Sequence, residues 1–117
     1  MDIIVLDGLK TRRNELTAIL EKGRHKVVSC SSSNDFMTAV ASTTNAHVCV
    51  DVDSWHQGRA MYSYFQIGKK LEGVPVVFYN APQNFTALAD RQRNEKDYVL
   101  TKPTDVEAIA EALSNTI

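Results

Sequence analysis

The stretch IIVLDGLKTRRNELTAILEKGRHKVVSC, residues 3–30, decides the fold. It opens with a short continuous apolar run that stops at Asp7, the pattern of a strand covered on both faces. In the following TRRNELTAILEKG (11–23), Leu16, Ile19 and Leu20 recur at helical spacing. Thr11 is placed to cap the N-terminus of that helix, and Gly23 to end it in a left-handed conformation. KVVSC (26–30) then returns as a strand. A strand, a helix and a second strand in such close succession call for a crossover connection, so the two strands run parallel.

The alternation continues to the end of the chain. SSSND (31–35) supplies a turn and a cap before Phe36, Met37, Val40 and Ala41, which mark a second helical face. HVCVD (47–51) is a third strand. After a polar loop, Met61, Tyr64, Phe65 and Leu71 form the apolar face of a third helix closed by Gly73. VPVVFYN (74–80) is the fourth strand, Phe85, Leu88 and Ala89 mark a short polar fourth helix, and DYVLT (97–101) is the fifth strand. Val106, Ile109, Ala110 and Leu113 close the chain as an amphipathic fifth helix. Five strands alternating with five helices predict a doubly wound (βα)5 fold, a parallel sheet with helices on both faces and right-handed crossovers.

At 117 residues the chain fits one domain spanning 1–117 with one core. The formal net charge of −1, with acidic and basic residues interspersed, sets up no field that favours nucleic acid or an anionic membrane. No apolar run is long enough to span a bilayer and the N-terminus lacks the features of a signal peptide, so a cytoplasmic location is expected. Cys30 and Cys49 sit inside apolar strand patterns without metal or redox spacing, which predicts buried, reduced thiols. His25 and His47 have no second ligand at zinc spacing and read as structural or solvated.

In a parallel sheet, functional sites gather beyond the carboxyl ends of the strands, near the point where strand order reverses. Asp7, Asp51, Asn80 and Lys102 all fall at such ends. Neighbouring carboxylates repel unless a cation lies between them, and oxygen ligands at two strand ends suit a hard ion such as Mg²⁺. An aspartate can then act as a nucleophile toward phosphorus, with Lys102 stabilising phosphoryl charge and Asn80 donating a hydrogen bond. Lys102 can equally serve as a structural ion-pair partner of Asp51.

From IIVLD through NAHVCVD and VPVVFYNA to LTKPTD, the chain resembles the receiver domain of bacterial two-component response regulators, along essentially its whole length. The Lys-Pro pair after the fifth strand is the most specific element of that resemblance. It implies the flavodoxin-like strand order 2-1-3-4-5, with Asp51 as phosphoacceptor and Asp7, Asp51 and Asp53 around a Mg²⁺ ion, Asp53 through its backbone carbonyl. It also implies that Lys102 contacts the phosphoryl group and that the Lys102–Pro103 peptide is cis. Implied partners are a histidine kinase or phosphotransfer protein, and an output domain or dimer partner. The latter would meet a face of the fourth helix, fifth strand and fifth helix that includes Thr86, Arg91, Tyr98, Thr101 and Glu107. The chain could then be the N-terminal domain of a longer regulator.

The sequence also departs from that pattern. Receivers carry two adjacent acids after strand one, and here the second position is Gly8, which predicts weak Mg²⁺ binding. Asn80 stands where a Thr or Ser hydroxyl meets the phosphoryl group. The loop after Asp51 reads VDSWHQG without the usual Met-Pro, and the aromatic switch position is Val99, with Tyr98 beside it. Trp55 and His56 in that loop are candidates for a docking contact or for burial over the third helix. The basic residues Lys10, Arg12, Arg13, Lys22, Arg24 and Lys26 surround the first helix and read as a solvated face.

Enzymes on similar folds announce themselves differently. DGLKTRRNE after the first strand has neither a dinucleotide fingerprint nor a Walker loop, and the chain has no G-x-S-x-G. The expectation is therefore not an enzyme but an atypical receiver acting through regulated protein contacts. The alternative is a phosphorylation-independent pseudo-receiver serving as a dimerisation or interaction module.

Overall fold

Strand β1 (Asp2–Leu6) lies inside a five-stranded parallel sheet, between β2 (Lys26–Cys30) and β3 (His47–Asp51). β4 (Val76–Ala81) and β5 (Tyr98–Thr101) complete the strand order β2-β1-β3-β4-β5. The computed structural model describes residues 2–43, 45–56, 74–83 and 97–116. The predicted helices marked by Met61–Leu71 and Phe85–Ala89 lie outside the described residues.

Strand periodicity divides the core into two layers. Ile4, Leu6, Val48, Val50, Val76 and Phe78 face one side of the sheet, where Phe36 of α2 (Ser33–Ser42) packs on them. Ile3, Val5, Cys49, Val77 and Tyr79 face the other, against Leu16 and Leu20 of α1 (Lys10–Lys22) and Ile109 and Leu113 of the C-terminal helix, here α4 (Val106–Thr116). Both faces of β1, β3 and β4 are thus covered, which is why their sequences are continuous apolar runs rather than alternating ones. Cys30 and Cys49 are buried free thiols. Burial pushes the Cys30 thiol up to about 11 and raises Cys49 further, so neither is a ready nucleophile.

The ends of the elements correct several expectations. α1 starts one residue before Thr11, so Thr11 does not cap it; instead the Leu9 N–H donates to Asp7 Oδ1 at 2.8 Å. The Asp7 carboxylate thereby satisfies one of the helix's orphan donors. Gly23 ends the helix with φ −79, and the left-handed residue is Arg24, φ 66. Ser32 caps α2 by accepting from the Asp35 N–H at 3.2 Å. The segment after Asp51, expected as a loop, is helical from its first residue: α3 spans Val52–His56. Val52 is buried in the α2 layer, which anchors this turn directly to the strand end. The Lys102–Pro103 peptide is cis.

Candidate functional site

Strand parity places the acids. Asp7 continues the Ile3, Val5 side of β1, and Asp51 continues the Cys49 side of β3, so both carboxylates lie on the α1 side of the sheet together with Tyr79. Their side chains are 0% and 2% exposed. Two buried carboxylates so placed require a cation.

Arg12 is that cation. It stands one helical turn before Leu16 and two before Leu20, on the stripe of α1 that faces the sheet. Its Nε donates to Asp7 Oδ2 at 2.6 Å and its Nη2 to Asp7 Oδ1 at 2.9 Å, a two-pronged grip. The same Nη2 donates to Asp51 Oδ2 at 3.0 Å. Arg12 also packs over the Tyr79 ring, its Cζ 5.5 Å from the ring centre. The hydrogen bond to Asp7 raises the guanidinium pKa beyond its ordinary value against the opposing effect of burial, so the charge is permanent. Arg13 adds an N–H bond to the Asp7 carbonyl at 2.9 Å.

The two acids accept further hydrogen bonds. Tyr79 donates its hydroxyl to Asp7 Oδ2 at 2.7 Å, and burial, reinforced by the neighbouring Cys49 and Asp7, raises its pKa and keeps it protonated. Ser54 donates to Asp51 Oδ2 at 2.5 Å while its oxygen accepts the Gly8 N–H at 2.7 Å. Asn80 Nδ2 donates to Asp51 Oδ1 at 3.2 Å. Asn80 itself sits in the left-handed region, φ 55, at the register shift between β4 and β5. Asparagine is among the few non-glycine residues that tolerate this geometry. It is clamped there reciprocally: its N–H donates to Thr104 Oγ1 at 3.1 Å, and its Oδ1 accepts the Thr104 N–H at 3.3 Å.

The structure thus brings Asp7, Asp51 and Asn80 together and sets Lys102 and Asp53 apart from them. Lys102 Nζ meets Asp53 Oδ1 at 2.9 Å, both side chains 52% exposed, and so does not supply the ion pair to Asp51 that the sequence allowed. Asp53, on α3, lines a shallow depression with Gly8, Leu9, Arg12, Asp51 and Ser54, but its carboxylate is turned to the lysine. Of the expected interaction face, Tyr98, Thr101 and Glu107 are exposed, while Thr86 and Arg91 lie outside the described residues. The side chains of Trp55 and His56 lie outside them too.

Sequence reading passed over Arg12 and Ser54. For Arg12 a signal existed, its i, i+4, i+8 alignment with Leu16 and Leu20, which places a charge on a buried stripe. Ser54 carries no such mark once VDSWHQG is taken for a loop.

A divalent ion does not fit this arrangement. Mg²⁺ demands oxygen ligands in near-octahedral order at about 2.0–2.1 Å. Here a guanidinium fills the space between Asp7 and Asp51, and every carboxylate oxygen of the pair already accepts at least one hydrogen bond. Among the described residues no group of three or more acidic, histidine or cysteine side chains is placed to hold a metal.

No family model matches the sequence, and no curated protein matches it. Solved structures do match. A response regulator receiver domain protein from Clostridium thermocellum aligns over 99% of this chain and 93% of its own, at TM-score 0.69 and 21% identity. A two-component response regulator from Clostridium difficile aligns over 99% and 94%, at TM-score 0.74 and 15% identity. The N-terminal domain of a response regulator/sensory box/GGDEF three-domain protein from Carboxydothermus hydrogenoformans aligns over 97% and 94%, at TM-score 0.66 and 17% identity. The chain therefore has the fold of response regulator receiver domains, a five-stranded parallel sheet in the order 2-1-3-4-5, along nearly its whole length.

Proposed function

We propose that this chain is an atypical receiver that signals through protein contacts, with Asp51 held in an internal ion pair instead of serving as a metal-dependent phosphoacceptor. One observation carries the reading: the Arg12 guanidinium joins Asp7 and Asp51 at 2.6–3.0 Å. The Asp51 carboxylate already accepts from Arg12 and Ser54 on one oxygen and from Asn80 on the other, which lowers its nucleophilicity toward an incoming phosphorus, and the cation that shields it is covalently part of the chain. It acts as a signalling module and not on an external substrate.

The contacts are made by the β5 and α4 face, where Tyr98 and Thr101 stand on an edge strand and Glu107 on the first turn of the helix. The partner is an output domain or a second copy of the chain. That one structural neighbour is the N-terminal domain of a three-domain protein supports an output domain in cis. No described helix is long and apolar enough to cross a membrane, which suits a cytoplasmic role.

Incubation with acetyl phosphate and Mg²⁺, followed by intact-mass measurement, tests the reading. The expected result is no phosphoryl adduct. A substantial adduct lost in Asp51→Asn would overturn it and establish Asp51 as an ordinary phosphoacceptor.

A further inference from the structure

We infer that Arg12 is the resident cation of this site and does the work of a divalent ion, so that the Asp7–Asp51 pair binds metal only once Arg12 is removed. This rests on the receiver reading above and says what sets the charge balance of that same site.

Three features carry it. The guanidinium lies between the two carboxylates, touching both oxygens of Asp7 and one of Asp51, where charge neutralisation is needed. It is held from outside the acids as well, by the Tyr79 ring on one side and by its own helix, whose Leu16 and Leu20 are buried in the sheet. Third, Gly8 offers no carboxylate, and its N–H goes to Ser54, which in turn donates to Asp51. One guanidinium, two hydroxyls, the Asn80 amide and the Leu9 N–H together give every oxygen of the two carboxylates at least one donor. A hydrated divalent ion would have to displace a covalently tethered competitor whose effective concentration is fixed by the helix.

Truncating the arginine empties that space and leaves two buried anions side by side, which is the condition that draws in a hard cation. The Arg12→Ala variant should therefore unfold at a lower temperature than wild type. Mg²⁺ or Mn²⁺ should then restore at least about half of the lost midpoint in a saturable manner. The same ions, titrated at constant ionic strength, should leave the wild-type midpoint unchanged. The rescue should vanish in the double variant Arg12→Ala/Asp7→Asn.

If Arg12→Ala is unfolded without metal, circular dichroism should show it refolding as Mn²⁺ is added. Two results would overturn the inference: saturable Mn²⁺ binding by wild type that Asp7→Asn abolishes, or an Arg12→Ala protein that gains nothing from either ion. Neither outcome coincides with the mass test on Asp51. A wild type that binds Mn²⁺ yet takes no phosphoryl group removes this inference and leaves the proposed function standing. A wild type that is phosphorylated without binding metal does the reverse.

Discussion

Arg12 and Lys102 both meet aspartates at the carboxyl edge of the sheet, but in opposite surroundings. The guanidinium is sunk between carboxylates that are 0% and 2% exposed, whereas the ammonium meets a carboxylate that, like itself, is 52% exposed. Water screens the second pair, and the cost of fixing two flexible side chains offsets most of what attraction remains. The first pair cannot fall back on water, so removing one member strands the others. The residue that carries the resemblance to receivers is thus the marginal one energetically, and the arginine outside any motif holds the site together.

The sharpest way to break that contrast is to truncate each cation in turn. Arg12→Ala is expected to lower the unfolding free energy by about 3–5 kcal/mol. Lys102→Ala should cost less than about 1 kcal/mol. Urea denaturation in low and high salt measures both, and the arginine effect should hardly change with salt. Comparable losses in the two variants would erase the distinction.

Tyr79→Phe comes next. It deletes a hydrogen bond to a buried carboxylate and should cost about 1.5–3 kcal/mol. Its pH dependence is informative. Burial raises the Tyr79 pKa above the unfolded value of about 10, so the folded state favours the protonated phenol. The stability this provides is complete below about pH 10 and declines as pH rises beyond it. Tyr79→Phe should therefore flatten the alkaline loss of stability, leaving the part due to Cys30 and Cys49, whose thiols are also raised by burial. An unaltered slope between about pH 10 and 11 in the variant would show that the phenol is not held neutral.

At Asn80 the expected effect is smaller than at Arg12 or Tyr79. Replacing it by the threonine of the receiver pattern forces a β-branched residue into φ 55, at a cost of about 1–2 kcal/mol. Amide exchange at Thr104 should quicken as its acceptor disappears. Asn80→Gly, which also loses the side-chain bonds but tolerates the backbone, should be the milder of the two in chemical denaturation.

Much of this molecule could be read in the chain. Continuous apolar runs ending at Asp7, Asp51 and Asn80 located strands covered on both faces, and parallel alternation put their ends on one edge. What escaped were contacts that depend on reach and not on periodicity. Arg12 is flanked by Lys10 and Arg13, so its neighbourhood looks like an ordinary solvated face, and only its alignment with Leu16 separates it from them. Ile19, counted with the apolar face, is 36% exposed, so the buried stripe runs through position 12 and away from position 19. Ser54 depends on α3 beginning at Val52, and a five-residue helix leaves too short a pattern to detect. The pairing of Lys102 with Asp53 is a rotamer choice between two nearby aspartates, which no pattern of residue types encodes.

Gly8 carries one more consequence. A Cβ at this position would lie 3.2 Å from Ser54 Oγ, tighter than ordinary contact, and that oxygen is fixed by Asp51 at 2.5 Å and by the Gly8 N–H at 2.7 Å. Positions 8 and 54 are therefore epistatic. A mutational path toward two adjacent acids would meet a penalty if it began at Gly8. It would run more easily if Ser54 first lost its hydroxyl, so the order of substitutions, and not only their identity, governs whether this edge can be converted.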